Sequence, residues 1–152
     1  MRRRTCVALA LLIQFGLAQA VDEAELAALV ERPSIGLYKA YAEFKMADYD
    51  SARRIWQALA ERDVAEAWFN LGILAEDGLG EPKDAALALA RYRRGAEAGS
   101  VKAQYRLGLL HLDGRLTAVD AVQARHWFAA AAAAGDAEAA RRLEALDVTH
   151  LR

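Results

Sequence analysis

The chain repeats itself at an interval of 36 residues, and that period limits its fold more than any local signal. The step carries Ala67, Leu71, Gly72 and Leu74 onto Ala103, Leu107, Gly108 and Leu110, and Asp77-Gly78 onto Asp113-Gly114. It also carries Asp84, Ala88, Tyr92, Ala96 and Gly99 onto Asp120, Ala124, Phe128, Ala132 and Gly135. One step backwards reaches Asp48, Ala52, Trp56 and Ala60, and one step forwards reaches Ala139, Leu143 and Leu146. A register held across four segments implies stacked copies of one unit, each burying its apolar face against its neighbours.

Each unit reads as two helices. Ala67, Leu71 and Leu74 fall four and three apart and share one helical face. Gly78 suits the left-handed residue of a helix exit, Pro82 cannot continue a helix, and Asp84 is placed to cap the next one. Ala85, Ala88, Tyr92 and Ala96 form a second, mostly small stripe, so two helix backbones approach closely while Trp56, Tyr92 or Phe128 fills the remaining gap between hairpins. Gly99 closes the unit, and Ser100 and Asp136 are placed to cap the helices that follow. The spacing predicts helices near 22–31, 35–46, 49–62, 65–77, 84–98, 101–113, 120–134 and 137–147. Asp22 with Glu25 resembles a capping box, Pro33 ends the leader helix, and Glu138, Arg141, Arg142 and Glu144 give the last helix a wettable outer face. Alanine fills 32 of the positions from 21 onward, which favours helix over an all-β fold.

The first twenty residues read differently. Arg2-Arg3-Arg4, an apolar run from Val7 to Leu17 and Ala18-Gln19-Ala20 have the three parts of a signal peptide cleaved after Ala20. The run is about half the ~20 residues of a membrane-spanning helix, so no stable membrane insertion is expected after cleavage. Cys6, the sole cysteine, lies inside this segment, so disulfides and thiolate chemistry leave with it. Cleavage also removes three arginines, leaving 132 residues with a net charge of −4, an unfavourable balance for nucleic acid. The expected divisions are a signal peptide at 1–20, a leader helix and linker at 21–33, a repeat domain at 34–147 and a C-terminal tail at 148–152.

Ala67-x3-Leu71-Gly72, Asp77-Gly78-x-Gly80, Pro82-x-Asp84 and Ala96-x2-Gly99 resemble the Sel-one-like repeat, a relative of the tetratricopeptide repeat. The first hairpin, with Asp48-Tyr49-x2-Ala52-x3-Trp56, has the shorter loop of the tetratricopeptide form. The 101–135 unit departs from the pattern at Leu116 and Ala118, where glycine and proline are expected, and the last segment has Glu144 in place of the Leu-Gly glycine. The resemblance implies an all-α, right-handed α-solenoid of helix-turn-helix repeats that serves as a scaffold for a protein or peptide. It also implies an exported protein, in the bacterial periplasm, engaged in envelope assembly, signalling or host contact.

Chemistry-bearing constellations are few. His111 and His126 fall on the two helices of one hairpin near Asp113, but His111 stands where the repeat usually has an aromatic. Recurrent carboxylates at Glu76, Asp77, Asp84, Asp113 and Asp120 fit helix ends, and no Gly-x-Ser-x-Gly, His-Glu-x2-His or Walker-type motif is present. Arg91, Arg93 and Arg94 read as a solvated face with Glu97 one turn away. No catalytic residue, metal or cofactor is expected. The alternatives are a small periplasmic hydrolase or cell-wall enzyme, and a self-assembling structural subunit.

In solenoids of the resembled kind the first helix of each unit lines the inner curve. Counting three before, one after and four after the Leu-Gly glycine selects Phe69, Ile73 and Glu76, then Tyr105, Leu109 and Leu112. The tetratricopeptide register adds Leu37, Tyr41 and Phe44. These nine residues, edged by Lys45, Glu66 and Lys102, are the expected partner-binding stripe, with aromatics as anchors. Phe69 and Tyr105 have a second reading, as aromatics packed between repeats.

Overall fold

The computed structural model describes residues 21–150. The expected signal peptide lies outside the described residues. Eight helices follow in order: α1 (Glu23–Val30), α2 (Pro33–Lys45), α3 (Tyr49–Ala60), α4 (Ala65–Asp77), α5 (Ala85–Glu97), α6 (Val101–Asp113), α7 (Ala121–Ala133) and α8 (Ala137–His150). No strand occurs among the described residues. α2–α3, α4–α5 and α6–α7 form hairpins that stack in chain order, with α1 against the first and α8 against the last. α8 continues to His150, so residues 148–150, expected in a tail, belong to the helix.

The rings expected between hairpins instead lock the α4–α5 and α6–α7 hairpins internally, because a glycine on the facing helix leaves room for each. A Cβ added to Gly72 on α4 would stand 2.4 Å from the Tyr92 ring on α5, and one added to Gly108 on α6 would stand 2.6 Å from the Phe128 ring on α7. Both rings are fully buried, as is Trp56 in the first hairpin. Around them, Ala52, Ala67, Ala88, Ala103 and Ala124 are also fully buried, and these small side chains allow the helices to approach. Leu71, Leu74, Leu107 and Leu110 fill the space between hairpins, as their spacing predicts.

The capping signals act locally. Asp48, Asp84 and Asp120 accept backbone N–H groups from Ser51, Leu87 and Gln123, opening the second helix of every hairpin. Ser100 and Asp136 do the same for α6 and α8. Gly78 and Gly114 leave their helices in the left-handed conformation, at φ 71° and 69°. The Asp84 N–H then donates to the Ala75 carbonyl at 2.9 Å, and Asp120 N–H to the His111 carbonyl at 2.8 Å. The second loop thus closes as the first does despite Leu116 and Ala118, because the closure rests on backbone groups and on the glycine at the helix exit.

Asp22 caps α1 through the Glu25 N–H at 2.7 Å. Pro33 opens α2 within its first turn, besides lying beyond the end of α1. Its ring fixes a helical φ where no N–H partner is needed. Val21 is buried, and its carbonyl accepts from Arg54 Nη1 at 2.7 Å while Arg54 Nη2 pairs with Glu23 at 2.6 Å. The leader is therefore fastened to α3.

Gly72→Ala tests the interlock. Alanine normally improves a helix interior by about 0.5–1 kcal/mol over glycine. Here overpacking against Tyr92 is expected to win, with a net loss of about 1–3 kcal/mol in urea unfolding.

Candidate functional site

The first helices of successive units lie side by side and leave a groove of about 530 Å³. Leu37, Tyr38 and Tyr41 of α2 form one wall, Phe69, Asn70 and Ile73 of α4 the floor and other wall, and Glu66 and Lys102 one end. Four of the nine expected residues, Leu37, Tyr41, Phe69 and Ile73, therefore meet there. Phe44 stands deeper, lining a recess of about 40 Å³ with Tyr41, Trp56, Asn70 and Ile73. Tyr38 and Tyr41 keep 77% and 53% of their surface, so two aromatic rings stand on an exposed helical face, Tyr41 stacked at 6.2 Å on Phe44.

Charges at the groove are largely matched. Lys102 pairs with Glu66 at 3.5 Å at the groove's end, while Lys39 pairs with Glu43 at 2.6 Å and Glu25 at 3.8 Å outside it. Lys45, expected at the edge, is exposed and does not line the groove.

Glu76 departs from its expected role. It is buried, and its carboxylate accepts from the Tyr92 hydroxyl at 2.7 Å, from Arg106 Nε at 3.2 Å and from Arg106 Nη2. Burial works to raise the Glu76 carboxyl, but the Arg106 and Tyr92 hydrogen bonds overcome it and hold it below the usual carboxylate range. Burial and the same carboxylate push the Tyr92 phenol up. The three side chains, from α4, α5 and α6, tie two hairpins together and leave Glu76 no free charge for a ligand.

Tyr105, Leu109 and Leu112 are half-buried and do not join the groove. They pack against the C-terminal cluster of Ala124, Phe128, Ala131 and Ala139, which Leu143 and Leu146 of α8 also cover. Tyr105 and Phe69 each approach a core ring, Tyr105–Phe128 at 5.7 Å and Phe69–Tyr92 at 5.8 Å, so both serve the packing between helices. Phe69 serves the groove as well. The terminal helix fills, at one end of the stack, what the sequence pattern alone extends as an open stripe.

A second crevice of about 510 Å³ lies between α3 and α5 on the other side of α4, lined by Trp68, Leu71, Leu87, Arg91, Arg94 and neighbours. Its cations are engaged. Arg91 is buried, donates to the Leu71 carbonyl at 2.9 Å and pairs with Glu81, while Arg94 lies over the Trp68 ring at 5.7 Å. The expected pairing of Arg93 and Arg94 with Glu97 is not formed.

His111 is buried on α6 with Nδ1 unpartnered, and burial, with help from Arg93 and against Asp120, pulls its pKa down. His126 is exposed and packs edge-on against Trp127 at 4.8 Å. No group of three metal-ligating side chains occurs among the described residues, and no helix among them is long and apolar enough to cross a membrane.

The sequence reading missed Tyr38, Asn70 and the contribution of Trp56 to the recess. Tyr38 and Tyr41 are three apart on one helix, a spacing that exposes the pair once α2 is known to be the outer wall. Asn70 sits 36 residues before Arg106, so the repeat register itself marks it as an interhelix position.

Two of the three folded units match known repeats by sequence: the Sel1 repeat matches residues 65–100 and 101–136. Among solved structures, the chain is similar to a Sel1 repeat protein from Oxalobacter formigenes, with 29% identity and a TM-score of 0.66 over 80% of this chain and 96% of that one. It is also similar in fold to a protective antigen present in uropathogenic Escherichia coli strains displaying an SLR fold, with 22% identity and a TM-score of 0.63. That match covers 79% of this chain and 27% of the antigen. No curated protein matches the sequence. The α2–α3 hairpin lies outside the matched repeats but stacks on them in the same manner.

Acidification tests the buried groups. His111 is neutral in the fold, with its pKa lowered from 6.5, so stability is complete above that value and falls as the pH drops below it. Glu76, lowered from 4.5, contributes stability above that value that is lost as the pH falls through the folded pKa. Urea unfolding across this range should show both losses. His111→Phe should remove the upper one, and Arg106→Leu should remove the lower one and cost about 1–3 kcal/mol at neutral pH.

Proposed function

We propose that the chain, with two Sel1 repeats at its centre, is a non-catalytic scaffold for a protein partner and holds a peptide segment of it in the α2–α4 groove. The observation that carries this reading is the pair of exposed tyrosines, Tyr38 and Tyr41, on the wall of an apolar groove. A water-exposed aromatic wall gains most by covering apolar surface, and two rings on a rigid helix lose little entropy in doing so. The one charged pair lining the groove, Lys102 with Glu66, is matched, which favours a segment of low net charge with apolar anchors over a strongly acidic or basic one. The crevice on the other side of α4 is a weaker candidate, because Arg91 and Arg94 are spent on internal contacts.

The place of action in this reading is the bacterial periplasm, in envelope assembly or signalling. Arg2–Arg4, the short apolar run and Ala18-x-Ala20 support export. Intact mass of the protein recovered from the envelope should correspond to a chain beginning at Val21. Recovery of the full chain in the membrane pellet would overturn cleavage.

Tyr41→Ala tests the groove. Selection of a displayed random peptide library on the full chain should return apolar sequences, and Tyr41→Ala should weaken them by about tenfold or more with melting unchanged, as for an interface anchor. Selected peptides that bind Tyr41→Ala as well as wild type would place the site elsewhere.

A further inference from the structure

The Tyr92 ring is covered from α6. Arg106 lies over it at 5.9 Å and is held there by the Glu76 carboxylate. One repeat earlier all three positions change. Trp56 stands for Tyr92 and Asn70 for Arg106, and Phe44 stands for Glu76 once the shorter first loop is counted. Asparagine has no chain of methylenes to lay over a ring, and phenylalanine has no carboxylate to hold a cation there. At this junction Asn70 lines instead a recess of about 40 Å³, with Tyr41, Phe44, Trp56 and Ile73 around it. Tyr41, Asn70 and Ile73 also line the groove, so the recess adjoins it along shared side chains.

Two limits define what enters. The accessible wall of the recess is almost all carbon, and the Trp56 indole N–H is closed off. An ionised or hydrogen-bonding group would give up its water there without gaining a partner. An apolar cavity of about 150 Å³ admits benzene, with its six carbons, so a recess of about 40 Å³ admits one or two. An aromatic side chain is therefore too large. The branched end of an aliphatic side chain meets both limits, and it is the counterpart of the arginine chain that covers Tyr92. The one charged pair lining the groove, Lys102 with Glu66, is matched, so the groove asks for no charge beside that anchor.

We propose that the recess is a specificity pocket for the branched end of a valine, leucine or isoleucine of the peptide held in the groove, with Asn70 and Ile73 setting its size. It rests on the groove reading and fixes which kind of apolar residue the peptide needs at one position.

The test uses Tyr41-dependent peptides returned by the random library on the full chain, resynthesised with each aliphatic residue replaced in turn by alanine or by phenylalanine. At one position both replacements should weaken binding to wild type, alanine by about four- to fifteenfold, the loss of one or two buried methyl-sized groups. The methyl proton signals of that residue should move upfield on binding, because the rings of Tyr41, Phe44 and Trp56 line the recess. Asn70→Arg, which restores the side chain of the next unit and fills the recess, should leave the aliphatic peptide and its alanine counterpart bound alike. Ile73→Ala, which widens the recess, should reverse the order of the aliphatic and phenylalanine peptides. Either variant gives the answer if the other fails to fold. Tyr41-dependent peptides that need no aliphatic residue, or an alanine effect of the same size on Asn70→Arg as on wild type, would overturn the pocket and leave the groove standing. A library that returns no Tyr41-dependent peptide would overturn the groove itself.

Discussion

The structure depends on a close contact between a bare backbone and a ring. Gly72 meets Tyr92 and Gly108 meets Phe128 at distances that exclude even a methyl group. The ring spans the gap between the two helices of a hairpin, and the absent side chain lets it in. Alanines at the neighbouring positions bring the backbones close enough for the ring to touch both helices. The α4–α5 and α6–α7 hairpins share this contact, while in the α2–α3 hairpin Gly36 meets Leu29 and Leu59 instead of Trp56. The groove lies where α2 of the first hairpin faces α4 of the second.

What differs from unit to unit sits on the inner register, beside the shared ring. The α4–α5–α6 junction places a charged set there and uses it as a bolt between hairpins. The C-terminal junction is apolar and covered by α8. The N-terminal junction is open, with Tyr38 and Tyr41 exposed on the wall of the groove. One repeated geometry thus yields a tie, a cap and a receptive surface, and the difference rests on a few side chains at equivalent positions.

Most of the fold is legible in the sequence because the period fixes the helices and the capping residues act within three or four positions of themselves. Asp84, Ser100, Asp136 and Gly78 all behave as their local context dictates. The site is legible in part. Leu37, Tyr41, Phe69 and Ile73 follow from the register of the first helices. Glu76 does not, since its burial depends on Tyr92 and Arg106 from two other helices, a combination that periodicity leaves out. Tyr105, Leu109 and Leu112 obey the same register but lie under the last helix, and a repeat pattern cannot say where its own array stops being open. Pro33 reads as the end of α1 and acts as the start of α2, because the linker between them is too short to separate the two roles.

Methyl NMR on the full chain with a library-selected peptide tests the central claim most directly. Leu37 and Ile73 on the groove, and Leu87 in the crevice behind α4, report the two faces separately. The account predicts that the Leu37 and Ile73 methyl signals shift on peptide addition while those of Leu87 stay fixed. Shifts confined to Leu87 would contradict it.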